Sequence, residues 1–271
     1  MLQTWAFDDS TEHLSPIDMY VAQQLLADPS QNSTLIAEVG VWKGAWVMSL
    51  LQSRPDATAI GVDPYPGAPA VGRRVAAEAA AMGLAERFQL LDTTAAVCEQ
   101  HCDGGTHIEF RLIHIDGEHT ESAVTSDLAF AARHLTGDGV IVVDDYRFPW
   151  FPGIASAMYG FVHDRRWAIF LATDNKAYLC RSDHHERWLN VVTDVLAGAD
   201  VPWSRGIGQR YPEPPDVRGF PMALCLGPVP SERVLEGLHV PWRYRWQRSK
   251  QRWLPPLRET VRPLKRRVRR P

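Results

Sequence analysis

Apolar residues in this chain fall into short runs separated by stretches with helical spacing. Leu35 to Val39, Ala59 to Val62, Phe88 to Leu91 and Phe110 to Ile115 read as strands. Val140 to Val143 is a continuous β-branched run, the kind that a parallel sheet buries on both faces. Between the runs, helices are predicted over Gly44 to Gln52, over the Ala-rich stretch Val71 to Met82, and over Gly153 to His163. From Thr120 to Leu135 the residues Val124, Leu128, Ala131 and Leu135 line one helical face. Ala168 to Ala172 and Lys176 to Cys180, separated by Thr-Asp-Asn, form a closing hairpin. Upstream, Ser15-Pro-Ile-Asp18 reads as a helix start: serine caps, proline is tolerated in the first turn, and an acid suits the free amides there. Ile17, Val21 and Leu25 follow at helical spacing, and Asp28-Pro29 ends the segment. Beyond Arg181 the rhythm fades to one helix, His184 to Leu196, and then Pro/Gly-rich chain from Val201 to Pro230.

Strand-helix alternation over residues 35 to 180 predicts an α/β fold. The sheet is doubly wound and Rossmann-like, mostly parallel, with an antiparallel closing hairpin strand. Such sheets bind ligands at the carboxyl ends of their strands. Four segments are expected: an N-terminal helical lid (1–30), a central domain (31–182), a C-terminal extension (183–240) and a basic, aromatic tail (241–271).

The strand ends carry the chemistry. After the first strand stands Glu38-Val-Gly40-Val41-Trp-Lys-Gly44, a turn that is not the dinucleotide fingerprint because its middle glycine is missing. Glycines there let the backbone approach a ligand, and the acid suits a cationic one. Asp63 ends the second strand, where a carboxylate accepts the hydroxyls of a ribose. Asp92, Thr93 and Thr94 follow the third, placed either to reach an adenine edge or to cap a helix. The fourth strand ends His114-Ile-Asp116-Gly-Glu-His119 and the fifth Val142-Val-Asp144-Asp145-Tyr146. Adjacent strands would gather Asp116, Asp144 and Asp145 at one rim. Three close carboxylates repel unless a cation sits among them. Oxygen-only ligands favour Mg²⁺ or Mn²⁺ over zinc. Helix caps plus a surface acid pair are the plainer alternative.

These residues resemble the class I S-adenosylmethionine-dependent methyltransferases, and within them the metal-dependent sugar O-methyltransferases of the macrocin, aminocoumarin and mycobacterial polysaccharide type. The matching stretches are Glu38 to Gly44, Gly61-Val-Asp-Pro-Tyr-Pro66 and the block from Ile113 to Tyr146, within a resemblance spanning roughly residues 30 to 180. The resemblance implies that Glu38 and the turn holding Gly40, Val41 and Gly44 receive the methionine part of the cofactor. Asp63 would take its ribose, and Asp92 with Thr93 its adenine side. It further implies that Asp116, Asp144 and Asp145 hold Mg²⁺ or Mn²⁺, and that Asp116, or alternatively His119, takes the proton of an acceptor hydroxyl. The acceptor is expected to be a small molecule or an oligosaccharide. The rivals are a catechol- or phenol-type O-methyltransferase, usually marked by an Asp-Asn pair where this chain has Asp144-Asp145, and a non-catalytic protein that keeps the cofactor fold. A nucleic-acid methyltransferase is not expected, because no Asn/Asp-Pro-Pro-aromatic motif follows the fourth strand.

Composition changes this picture in one respect. With 45% hydrophobic and 23% charged residues, the 271-residue chain is ordinary for a globular protein. The net charge of −3, however, averages two unlike parts. Residues 241–271 hold twelve Lys/Arg against one acid, Glu259, whereas residues 1–240 hold 17 basic against 31 acidic residues. The tail suits nucleic acid or an anionic membrane surface, docking on the acidic body of its own or a neighbouring subunit, or a solvated end. A homo-oligomer is expected. Cys98, Cys102, Cys180 and Cys225 make no CxxC pair and no disulfide framework. With no basic-then-apolar leader and no apolar run of membrane-spanning length, a cytoplasmic location is expected, with membrane association through the tail. Among the ten tryptophans, Trp150, together with Phe151 and Tyr146, is best placed to meet a sugar ring.

Overall fold

The computed structural model describes residues 15–27, 33–95, 98, 108–198 and 216–225. The basic tail and most of the Pro/Gly-rich chain from Val201 to Pro230 therefore lie outside the described residues. In chain order the elements are α1 (Pro16–Leu26), β1 (Leu35–Val39), α2 (Ala45–Ser53), β2 (Thr58–Val62), α3 (Pro69–Ala81), β3 (Phe88–Leu91) and β4 (Phe110–Ile115). They continue with α4 (Glu121–His134), β5 (Leu135–Val143), α5 (Pro152–His163), β6 (Trp167–Thr173), β7 (Ala177–Arg181) and α6 (His185–Gly198). Three short strands follow: β8 (Asp216–Val217), β9 (Phe220–Pro221) and β10 (Ala223–Cys225).

Eight strands form one sheet in the order β10-β6-β7-β5-β4-β1-β2-β3. All pairs are parallel except β7 with its neighbours β5 and β6. The alternation of strand side chains splits the core between two faces. Ile36, Leu112, Val140 and Val142 join the residues of α1, α2 and α6. Ala37, Ile113, Ile141 and Val143 join those of α4 and α5. Both faces are thus covered, which accounts for the continuous apolar runs read in the sequence. Among the described residues, no helix is long and apolar enough to cross a membrane.

Local signals placed the helix ends well. Ser15 caps α1 by accepting from the Asp18 amide at 3.4 Å, and Thr120 caps α4 by accepting from the Ala123 amide at 3.3 Å. Two sequence expectations need correction. Helix α1, expected as a lid, is wedged into the core, with Met19, Val21, Ala22 and Leu25 buried. It is held there by Arg111, which donates to the Leu25 carbonyl at 3.1 Å, and by Asp18, which accepts from the hydroxyls of Thr173 at 2.9 Å and Tyr178 at 2.7 Å. The boundary at residue 182 also divides one body. Trp188, Val192 and Leu196 of α6 belong to the same core, and β10 adds an edge strand beside β6.

Candidate functional site

One cavity of about 880 Å³ opens along the carboxyl ends of β1, β2, β4 and β5 and the start of β7. Its first wall is the turn after β1. Gly40 adopts φ +83°, and a Cβ there would stand 2.0 Å from the main-chain oxygen of Asp116. Only glycine allows these two strand ends to touch. Gly44, also left-handed at φ +76°, begins α2 and packs against Met48 and Val75. It shapes the turn without itself lining the cavity.

Glu38, Val41, Asp63 and Thr93 line the cavity. Asp63 Oδ2 accepts from the Trp42 amide and Oδ1 from the Tyr65 amide, each at 2.8 Å. Each oxygen keeps a further lone pair, so the carboxylate is oriented and still able to accept from a ligand. Trp42 and Tyr65 both have positive φ, 47° and 42°. These are strained conformations of the sort found around binding sites. Asp92 departs from expectation: it is exposed, and Thr93, Thr94 and Ala95 line the cavity in its place. Its strand has ended, and its side chain points to solvent.

The second wall holds the acidic rim. Asp116, Asp144 and Asp145 all line the cavity, as does His119. Asp144 and Asp145 fall in two neighbouring clusters that share Asp116. Donor atoms of Asp116, His119 and Asp145 lie within 4.8 Å of one another, and so do those of His114, Asp116 and Asp144. His119 Nε2 is 3.4 Å from Asp116 Oδ1 and 3.8 Å from Asp145 Oδ2. Asp145 sits in a left-handed backbone conformation, with φ +52°.

Behind the rim runs a buried polar chain that the sequence reading missed. His114 Nδ1 is 3.1 Å from Glu38 Oε1, His114 Nε2 is 3.0 Å from Lys176 Nζ, and Lys176 pairs with Asp144. Asn175 donates to the same carboxylate. Trp46 stacks on the His114 ring at 4.1 Å between centroids. Register explains the first link, since Glu38 lies directly beside His114 across the β1–β4 pair. It explains the last as well, because Val143 faces Ala177 across β5–β7, and the next residue on each strand is Asp144 or Lys176.

Burial, aided by the Lys176 charge, pushes the His114 imidazole down to about 4. It is therefore neutral, donating from Nδ1 to Glu38 and accepting Lys176 at Nε2. Burial also opposes the Lys176 charge, but Asp144, Asp116 and Asp18 outweigh it and hold the ammonium protonated. For Asp144 burial is outweighed by the Lys176 charge, which keeps the carboxyl well below its usual range. Asp116 goes the other way: desolvation and the Asp144 charge raise it to about 6. The hydrogen bond to Asp116 pushes His119 up. Asp145 is raised by burial and by Asp144.

A family model described as a methyltransferase domain matches residues 37–146. Over those residues the chain resembles a methyltransferase domain. The match therefore coincides with β1 to β5, the stretch that supplies both cavity walls. In three dimensions the chain is similar to the O-methyltransferase from Bacillus cereus in complex with SAH. The two share 14% identity over 62% of this chain and 81% of that one, with a TM-score of 0.50. It is also similar to a candidate caffeoyl-CoA O-methyltransferase from Staphylococcus aureus (12% identity, 66% of this chain and 90% of that one, TM-score 0.54). CalS11, a TDP-rhamnose 3'-O-methyltransferase of calicheamicin biosynthesis, shares 20% identity over 61% of this chain and 77% of that one, with a TM-score of 0.48. No curated protein matches the sequence. At these identities the structural likeness speaks for the fold alone, which is the doubly wound sheet read from the sequence.

An aromatic step stands just past the matched residues. Phe151 packs on His119 at 4.3 Å between centroids and on Phe148 at 5.4 Å, and Trp150 beside them is 76% exposed. Tyr146, expected in the same group, is instead buried in the core. The signal that could have revealed the hidden chain is a histidine inside an apolar strand, Leu112-Ile-His114-Ile115, two residues before an acid on the same face. A lysine beginning a strand that runs antiparallel to the others, at the rim where the others end, is the second such signal.

Proposed function

We propose that this protein uses S-adenosylmethionine to methylate a hydroxyl group of a saccharide. The observation that carries the reading is that a single cavity joins the Glu38–Gly40 turn and Asp63 to the Asp116–His119 pair. One end suits a cofactor with a sulfonium charge and a ribose; the other suits an acceptor that must lose a proton.

Glu38, Gly40 and Val41 hold the methionine end, Asp63 the ribose, and Thr93 with Thr94 the adenine side. The acceptor oxygen lies toward Asp116 and His119. It attacks the methyl carbon in line with the departing sulfur; the C–O bond forms, the C–S bond breaks, and S-adenosylhomocysteine leaves. The hydroxyl proton passes to the Asp116–His119 pair. Two residues sharing one proton near neutral pH suit this task, and fixing acceptor and cofactor in line supplies much of the rate. No step is routed through a divalent cation. The exposed indole of Trp150 beside Phe151 offers a flat apolar face to a sugar ring, whose C–H side is itself apolar.

The test is methyl transfer from labelled S-adenosylmethionine onto a panel of mono- and oligosaccharides, with catechols and simple phenols in parallel. Label on a saccharide supports the reading. Label on the phenols alone moves the protein to the catechol type, and failure of calorimetry to detect S-adenosylmethionine binding removes the cofactor assignment altogether.

A further inference from the structure

Three acids at the carboxyl ends of adjacent parallel strands look, in sequence, like a place for a divalent cation. The structure puts a side-chain ammonium there. We infer that Lys176 takes the place of a divalent cation at Asp144, so that the site operates without one. The inference rests on the cofactor reading above, because it concerns how that same cavity is charged.

Asp144 has little left to offer a metal. Its Oδ1 accepts from the Asp145 amide at 2.8 Å and from Asn175, and its Oδ2 receives Lys176. A metal ion sharing Oδ2 with an ammonium would meet direct charge repulsion. Nor can His114 serve as the nitrogen ligand, since Nε2 faces Lys176 at 3.0 Å and Nδ1 faces Glu38 at 3.1 Å.

Lys176 is not a surface side chain that has strayed inward. It is 4% exposed, and its backbone is pinned by Thr173 in both directions: Lys176 N donates to Thr173 Oγ1 at 2.9 Å, and Thr173 N donates to the Lys176 carbonyl at 2.8 Å. The antiparallel course of β7 starts that strand at the rim where β5 ends, so the fold itself delivers the ammonium. The remaining carboxylates have a side-chain partner of their own as well, with His119 lying between Asp116 and Asp145 at 3.4 and 3.8 Å. The positive charge that Lys176 brings to the rim is thus part of the chain itself. It does not depend on metal supply.

The experiment uses the full chain with saturating S-adenosylhomocysteine and reads free Mn²⁺ by electron paramagnetic resonance as MnCl₂ is added. The wild type is expected to bind no stoichiometric Mn²⁺ into the millimolar range. Lys176→Met, which frees Asp144, is expected to gain one Mn²⁺ per chain with at least tenfold tighter binding. Removing the lysine strips a buried carboxylate of its partner and strains the fold. The variant is therefore scored only if it still binds S-adenosylhomocysteine, and the wild-type titration decides without it. One tightly held Mn²⁺ on the wild type overturns the inference, and so does a folded Lys176→Met that gains none. Failure of the wild type to bind S-adenosylhomocysteine would instead strike the cofactor reading, so the two failures are told apart.

Discussion

The space where Gly40 would carry a side chain is filled by the main-chain oxygen of Asp116, 2.0 Å from the Cβ position. This contact presses the turn after β1 against the end of β4 and sets the distance between the two walls of the cavity. Neither partner is a flexible side chain that could yield. Gly40→Ala is therefore expected to weaken S-adenosylhomocysteine binding by at least tenfold and to lower the melting temperature, as read by calorimetry and thermal unfolding. Gly83 has a similar φ of +71° but open space around its Cβ position. Gly83→Ala should leave cofactor binding unchanged and cost only about 1 kcal/mol of stability, from the left-handed strain.

The Asp116–His119 pair predicts a pH profile. Asp116 accepts the proton only as a carboxylate, and desolvation and Asp144 raise its pKa to about 6. The rate of transfer should accordingly climb as pH rises through about 6 and level off above it. Asp116→Asn should lose roughly 10²- to 10⁴-fold in kcat, the range of general-base catalysis, with little change in cofactor affinity. A profile that stays flat from pH 5 to 8 in the wild type would remove Asp116 as the base.

Asp127 of α4 lies in the cavity wall close to Gly117, and burial together with Glu118 raises it to about 7. Folding favours its neutral form. Its effect on stability is therefore smallest at acid pH, where the carboxyl is protonated in both states. The penalty grows as pH rises through the unfolded value and on to about 7. Asp127→Asn should thus gain stability over the wild type above pH 7, on the order of 1 kcal/mol or about 2–4 °C for a chain of this size. The gain should shrink toward pH 5. Thermal unfolding of the ligand-free protein across that range measures it.

Trp150 is expected to serve the acceptor and not the fold. Its side chain is largely in solvent, so Trp150→Ala should leave the melting temperature within about 1–2 °C, as exposed substitutions do. On the saccharide found in the panel it should raise KM several-fold with kcat nearly constant, the signature of lost uniform binding. A fall in kcat at unchanged KM would count against stacking.

What could be read directly from the residues is what depends on near neighbours in the chain. Strand runs, helix periodicity, the Ser15 cap and the glycine turn after β1 are local features, and they placed β1, β3 and β4 at their observed residues. Asp63, Asp116 and His119 were legible for the same reason, since a strand end in a doubly wound sheet is already a location in space. How the three rim acids divide between partners was not legible, because equal rank along two strands says nothing of side-chain direction: Asp116 groups with His114 and Asp144 on one side and with His119 and Asp145 on the other.

The sequence by itself determined the class of fold, the rim at which chemistry gathers and most of the acids there. Only the tertiary structure decided how those acids are neutralised. Lys176 reaches Asp144 from 32 positions away, and His114 joins Glu38 across 76. Such contacts follow from strand order and from the reversed direction of β7. In a low-dielectric interior those contacts decide which carboxylate is held charged and which is left able to take a proton.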